Sequence, residues 1–146
     1  MYLDTAILVK LLLPEADSLY YAGLAHGQLV YSAEIALTEC HSAMLRKERE
    51  RVITGRQRKA AWKQLEDDIA GRRINLLPVT RAVLENANHI LSVCQPRIPL
   101  RSLDAIHLGA SQEIASWPLC TADIRMREAA EKMGFLVTPL PTDVVG

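Results

Sequence analysis

The first fifteen residues, MYLDTAILVKLLLPE (residues 1–15), predict how the chain begins to fold. A short apolar stretch ends at Asp4, and Asp4 and Thr5 are residue types that cap the N-terminus of a helix. The apolar run that follows reaches Leu13 and stops at Pro14, because proline disrupts a helix interior. The segment therefore predicts a buried strand followed directly by a helix.

The same alternation of strand and helix continues along the chain. Further strands are predicted at 29–32, 74–79, 119–122 and 135–140, and helices at 5–13, 15–25, 35–50, 54–70, 80–94, 102–115 and 123–133. Thr80 and Ser102 are expected to cap two of these helices. Strands joined by helices pair in parallel through right-handed crossovers. The order therefore predicts a three-layer α/β/α sandwich with a central, mostly parallel sheet of about five strands.

Length and composition are those of one ordinary globular domain, expected to span 1–146. Apolar residues make up 49% and charged residues 23%, which excludes a disordered tail, a collagen-like repeat and a small disulfide scaffold. The apolar start contains two charged residues and ends at Pro14, so neither a membrane span nor a signal peptide is expected. Cys40, Cys94 and Cys120 have no metal-like spacing and are expected to be reduced and buried. A cytoplasmic protein is predicted.

Residues 46–59 are strongly basic within a chain whose formal net charge is zero. Seven basic residues stand against two acidic ones, a local net charge of +5. The basic residues are Arg46, Lys47, Arg49, Arg51, Arg56, Arg58 and Lys59. Two interpretations stay open, an edge that faces nucleic-acid phosphates and a solvated helix end.

Three aspartates lie at strand ends or helix N-termini, on the sheet edge where such folds place their functional sites. Asp4 ends the first strand, Asp123 follows the strand at 119–122, and Asp104 lies in the first turn of a helix. Grouped carboxylates repel one another unless a divalent cation neutralises them, and oxygen ligands favour Mg²⁺ or Mn²⁺. Each aspartate alone is better explained as a cap or a first-turn acid. Their recurrence favours a shared metal site and phosphoester hydrolysis.

Glu39 lies in the apolar-rich run IALTEC (residues 35–40), within the helix predicted after the second strand. A carboxylate that faces inward there needs a partner, whereas one that faces solvent does not. The periodicity of the run is compatible with both orientations. The spacing of the apolar residues therefore leaves the orientation and the role of Glu39 open.

Four segments together resemble the PIN-domain ribonucleases, specifically the VapC-like toxins of toxin–antitoxin pairs. They are YLDTAILVKLLLPE (2–15), ALTE (36–39), RSLDAIHLGA (101–110) and CTADIRMREAAEKMGF (120–135), in the family's order. The resemblance implies roles at a metal centre for Asp4, Glu39, Asp104 and Asp123. It implies that Thr5 and Thr121 are hydroxyl partners of the metal waters or carboxylates. It thereby also implies a site role for Glu39.

The function implied by the resemblance is that of a metal-dependent endoribonuclease, the toxin of a toxin–antitoxin pair. Mg²⁺ or Mn²⁺ is the implied cofactor, RNA the substrate, a small antitoxin the partner and a homodimer the assembly. Apolar residues of the early helices are candidates for the dimer or antitoxin surface, although most are expected in the core: Leu12, Leu13, Leu19, Tyr20, Tyr21 and Leu24. The alternatives are a catalytically silent PIN-like interaction module and a solitary RNA-processing nuclease.

Two departures from the family pattern bear on this interpretation. Gly109 stands where the family usually has alanine, which implies close helix packing. No further acid follows Asp123 at the position where some relatives have one, so the number of metal ions stays open.

His107 lies one turn from Asp104 between apolar neighbours, and we expect it to pack rather than to act as a general base.

Overall fold

A parallel sheet forms the middle layer of the computed structural model, which describes residues 1–114 and 118–144. Its strands are β1 Tyr2–Leu3, β2 Val30–Ala33, β3 Ile74–Leu77 and β4 Leu119–Cys120, in the order β3-β2-β1-β4. Tyr2 pairs in parallel with Tyr31 on one side and with Leu119 on the other. Val137 adds one isolated parallel bridge to Leu119. The α/β class and the parallel sheet are confirmed, with four strands and a bridge instead of about five strands.

Helices cover both faces of this sheet. They are α1 Thr5–Leu12, α2 Ser18–Ala25, α3 Ile35–Arg49, α4 Gly55–Ala70, α5 Arg81–Cys94, α6 Ser102–Glu113, α7 Ile124–Lys132 and α8 Pro141–Val144. One core joins the sheet to α1, α2, α3 and α4, and a second joins it to α5, α6 and α7. Leu3 belongs to the first core and Tyr2 to the second, because neighbouring strand residues point to opposite faces.

Two helix starts differ from the prediction. Arg101 is the N-cap of α6, with an extended backbone and no capping side chain, so the prediction that Ser102 caps this helix is wrong. Its predicted end at residue 115 lies outside the described residues. The second helix begins at Ser18 rather than at residue 15, because the Ser18 hydroxyl accepts from the N–H of Glu15 at 2.7 Å and holds a turn there.

Close packing between α5 and α6 depends on Gly109. A Cβ atom at this position would lie 2.6 Å from the carbonyl oxygen of Val83 and 3.0 Å from the nitrogen of Ala87, both backbone atoms of α5. Real Cβ atoms do not approach backbone oxygen so closely. The expectation of close helix packing is confirmed, and the glycine sets how deeply α6 sits against its neighbour.

Residues of the early helices divide between core and surface. Leu13 and Tyr21 are buried, whereas 88% of Leu19 is exposed. The three cysteines are buried and free, as expected. No helix in the described ranges has the length and apolar character that crossing a bilayer requires.

Candidate active site

Asp4 connects the end of β1 to the start of α1 and to the end of β4. Its Oδ1 atom accepts a hydrogen bond from the N–H of Ile7 at 2.9 Å, which makes Asp4 the N-cap of α1. Its Oδ2 atom accepts one from the hydroxyl of Thr121, whose oxygen in turn accepts from the N–H of Asp123 at 3.1 Å. Burial raises the pKa of Asp4, and these donors offset only part of that rise.

Asp104 lies in the first turn of α6 and keeps one carboxylate oxygen unsatisfied. Its Oδ2 atom is buried and has no hydrogen-bond partner in the part of the chain that the structure describes. Burial raises the pKa of Asp104 and the charge of Asp123 raises it further, while Arg101 and Arg125 act in the opposite direction. A buried oxygen without a donor costs free energy. This atom is therefore well suited to receive a cation.

Asp123 caps α7 and is well supplied with donors. Its Oδ1 atom accepts from the N–H of Arg125 at 2.9 Å and from the N–H of Met126 at 3.1 Å. Its Oδ2 atom lies 3.4 Å from Nη2 of Arg125. Burial by itself raises the pKa of Asp123, but the donors from Met126 and Arg125 outweigh it, and the pKa lies below its ordinary value. The carboxylate is therefore charged at neutral pH.

Glu39 is held by a hydrogen-bonded cluster that reaches through the sheet. Its Oε1 atom accepts from the Thr5 hydroxyl at 2.8 Å and lies 2.7 Å from Nε2 of His107. The Tyr2 hydroxyl lies 2.7 Å from Nδ1 of the same ring. A carboxylate only accepts, so Nε2–H donates to Glu39, and the Tyr2 hydroxyl is placed to donate to Nδ1. Burial raises the pKa of Tyr2, so the phenol keeps its proton.

The cluster changes the electrostatics of Glu39. Burial by itself raises the pKa of Glu39, but the hydrogen bonds from His107 and Thr5 outweigh it, and the pKa lies below its ordinary value. His107 is 2% exposed, which agrees with the expected packing role. Its polar contacts to Glu39 and Tyr2 were not predicted from the sequence.

Three of the four acids are coupled electrostatically at the carboxyl edge of the sheet. Asp104 raises the pKa of Asp4 and Asp123 raises that of Asp104 by their negative charge, whereas Glu39 contacts His107. Within residues 1–114 and 118–144, however, no three His, Cys, Asp or Glu side chains stand close enough together to ligate one ion directly. Mg²⁺ usually binds one or two carboxylates and keeps several waters. The oxygen donors therefore fit a water-rich ion.

The basic residues of 46–59 fall into three groups. Arg46 and Arg49 line a groove that also contains Glu39. Lys47 pairs with Glu15 at 2.6 Å, and Arg58 pairs with Glu48. The remaining three are exposed and line neither groove beside Glu39: Arg51, Arg56 and Lys59.

Arg101 is a site residue that the sequence analysis missed. It lines a second groove together with Thr5, Glu39 and Arg46, and its charge lowers the pKa of Asp104. The available signal was its place directly before the helix that carries Asp104, on the same edge as the acids. Charge patterning pointed instead to 46–59, where the basic residues are denser.

Comparison with known proteins relates this geometry to a family. The model of the PIN domain matches residues 1–132. Ribonuclease VapC46 of Mycobacterium tuberculosis (strain ATCC 25618 / H37Rv) is 34% identical over 142 residues, which cover 94% of this chain and 95% of that protein. FitAcB from Neisseria gonorrhoeae has a TM-score of 0.69 at 21% identity, covering 94% and 96% of the two chains. A toxin–antitoxin complex from Klebsiella pneumoniae has a TM-score of 0.61 at 16% identity, covering 94% and 95%.

Proposed function

Because the chain belongs to the PIN-domain family, we propose that it is a metal-dependent endoribonuclease and the toxin of a toxin–antitoxin pair. The observation that carries the proposal is the buried, unsatisfied Oδ2 atom of Asp104 beside the charges of Asp4 and Asp123. A relative that is itself a ribonuclease supports RNA as the substrate. We also propose that residues 1–146 form one nuclease domain.

The proposed cofactor is Mg²⁺ or Mn²⁺, held by Asp4, Glu39, Asp104 and Asp123 directly or through water. When bound, such an ion activates a water and polarises the phosphate under attack. Thr121 orients Asp4 through its hydrogen bond. Thr5, together with His107, orients Glu39 and keeps it charged. These contacts support the proposed roles of the two threonines as hydroxyl partners of the carboxylates.

The proposed RNA-binding residues are the seven basic side chains of 46–59, with unequal support. Arg46 and Arg49 have the strongest support because they line the groove with Glu39. Lys47 and Arg58 already have acidic partners. For Arg51, Arg56 and Lys59, the proposed RNA contact is supported by charge and exposure alone.

The proposed partners are a small antitoxin and a second copy of the chain. A solved toxin–antitoxin complex with the same fold supports the first, and the exposed Leu19 on α2 offers apolar surface for the second. Light scattering that shows a strict monomer at micromolar concentration would contradict the dimer. We also propose action in the cytoplasm, supported by three free cysteines, the state typical of a reducing compartment.

The test is RNA cleavage by the purified chain with and without metal. We expect cleavage with Mg²⁺ or Mn²⁺, none in excess chelator, and recovery when the ion is restored. Asp104→Asn should remove most of the activity, whereas Asp67→Asn is the matched control because Asp67 is exposed on α4 and pairs with Lys63. Full activity in chelator would refute the metal requirement. If the chain binds its antitoxin but cleaves no RNA with either metal, the result would favour the alternative function, a catalytically silent interaction module.

A further inference from the structure

A groove between α3 and the start of α6 shares one residue, Glu39, with the four acids of the candidate site. It has a volume of about 380 Å³ and is lined on α3 by Thr38, Ser42, Arg46 and Arg49, with Leu103 of α6 opposite and Glu39 at its edge. The volume lies in the range of sites that hold one small molecule, about 300 to 1,000 Å³. Because Glu39 borders it, whatever binds here lies next to the Glu39 carboxylate.

One end of the groove is cationic. Arg46 and Arg49 are three residues apart on α3 and therefore lie on one face of the helix. Both are exposed, and neither has a carboxylate within ion-pair distance in the described ranges, whereas Lys47 between them is paired with Glu15. A guanidinium without an acidic partner is suited to bidentate contact with a phosphate. This end fits a phosphate of a nucleic-acid backbone.

The other end combines an apolar surface with hydroxyl groups. Leu103 is 46% exposed, and it lines the groove opposite α3. Thr38 and Ser42 are one helical turn apart, and their hydroxyls form no hydrogen bond to another part of the described chain. A nucleobase has an apolar face and a polar edge, and a leucine with two free hydroxyls complements both. These three residues therefore fit a base rather than a second phosphate.

We propose that this groove is a subsite for one unpaired RNA nucleotide next to the bond that is cleaved. The base packs on Leu103 with its edge at Thr38 and Ser42, and the adjoining phosphate binds Arg46 and Arg49. The inference rests on the proposed ribonuclease function. A base must be unstacked to enter this groove, and Leu103 contributes to the base preference at the cut.

The experiment compares variants of matched exposure on short single-stranded RNAs with random bases around the cut. Leu103→Ala should reduce the discrimination between preferred and disfavoured bases about tenfold in kcat/KM, as expected for a lost apolar contact. The control is Leu84→Ala, since Leu84 is 42% exposed on α5 and lies outside the groove. Sequencing of the cleavage products reads the preference, and melting temperatures check that each variant folds.

A second arm measures binding of a fluorescent RNA in chelator, where no cleavage occurs. Arg49→Ala should weaken binding and lower the slope of log affinity against log salt by about 0.7, the value for one phosphate contact on a single strand. The control is Arg97→Ala, an exposed arginine outside the groove. Fluorescence anisotropy over a salt series gives both slopes.

The outcomes separate this inference from the proposed function. Unchanged base preference in Leu103→Ala together with an unchanged salt slope in Arg49→Ala would overturn the subsite, and so would equal cleavage of duplex RNA. If the unaltered chain cleaves no RNA with metal, the ribonuclease proposal fails. The binding arm, run also with Leu103→Ala and its control Leu84→Ala, then still decides the subsite. Loss of affinity in both variants, but in neither control, would support it, and unchanged affinity in both would overturn it.

Discussion

Asp104 and Asp123 lie within electrostatic reach of each other, yet their pKa values move in opposite directions. Asp123 is the residue before α7 and receives two backbone N–H donors, so its pKa falls. Asp104 stands in the first turn of α6 with an Oδ2 atom that receives none, and burial together with the charge of Asp123 raises its pKa. A shift of three positions, from the residue before a helix to its third residue, therefore separates a carboxylate with two backbone donors from one with an unsatisfied oxygen.

The same division separates Glu39 from Asp4. Glu39 is charged because Thr5 and His107 donate to it, whereas Asp4 is buried so deeply that two donors do not restore its ordinary pKa. Each pair thus contains one acid whose pKa the protein lowers and one whose pKa it raises. Cation binding should relieve the second kind most.

The largest expected effect is on catalysis. Asp104→Asn and Asp123→Asn should each lower kcat/KM for RNA cleavage about 100-fold or more, because a lost ligand forfeits part of the several kcal/mol that metal charge stabilisation supplies. Initial rates at fixed Mg²⁺ measure the loss. A variant that cleaves at the unaltered rate with normal metal dependence would show that its residue is not part of the site.

A smaller effect on stability tests the cluster around Glu39. His107→Leu should lower the free energy of unfolding by about 1 to 3 kcal/mol, because the buried Tyr2 hydroxyl and the Glu39 carboxylate both lose a partner. The control is His89→Leu, at an exposed position of α5, which should change it by less than about 0.5 kcal/mol. Urea unfolding compares the two. If both substitutions changed the free energy of unfolding equally, the hydrogen bonds around Glu39 would contribute nothing to stability.

The smallest effect is the pH dependence of the metal-free protein, and it has opposite signs for the two aspartates. The raised pKa of Asp104 destabilises the fold at neutral pH, and this penalty disappears as pH falls towards the ordinary value of 3.8. Asp104→Asn should therefore raise the melting temperature at pH 7, with a gain that shrinks in acid.

Asp123 provides the counterpart in the same experiment. Its lowered pKa contributes stability above 3.8 that is lost as pH falls through the still lower value in the folded protein. Asp123→Asn should therefore lower the melting temperature at pH 7, with a loss that shrinks in strong acid. Melting curves from pH 3 to pH 8 in chelator give both trends, and a gain for Asp123→Asn would remove the contrast between the two acids.

The features that could be predicted from the sequence are those with local signals. The apolar runs, the capping residues Asp4 and Thr80, and the breaker Pro14 mark most strands and helices within a few residues. Ser102 misled because the chain enters the helix one residue earlier, at Arg101, where a side-chain cap is lacking. The strand at 135–140 has the right apolar residues, but only Val137 pairs.

The candidate site could be predicted only in part, for a different reason. The aspartates sit at strand and helix ends, which a linear pattern reveals. The contact between Tyr2 and His107 joins residues 105 positions apart, and that between Thr5 and Glu39 joins residues 34 apart. Such contacts arise from how helices stack on the sheet. No periodicity within one segment contains that information, which is why spacing left the orientation of Glu39 open.

The missing Cβ atom of Gly109 has an evolutionary consequence. Alanine is the residue that the family resemblance leads one to expect there, yet its methyl group would lie 2.6 Å from the carbonyl oxygen of Val83. Because that oxygen belongs to a helix backbone, no rotamer change relieves the clash, and α5 and α6 must separate first. Alanine differs from glycine by one methyl group, but at position 109 the substitution also requires a change in the neighbouring helix α5. Gly109 and the residues of α5 that face it are therefore expected to evolve together, since a larger residue at position 109 requires a wider spacing of α5 and α6.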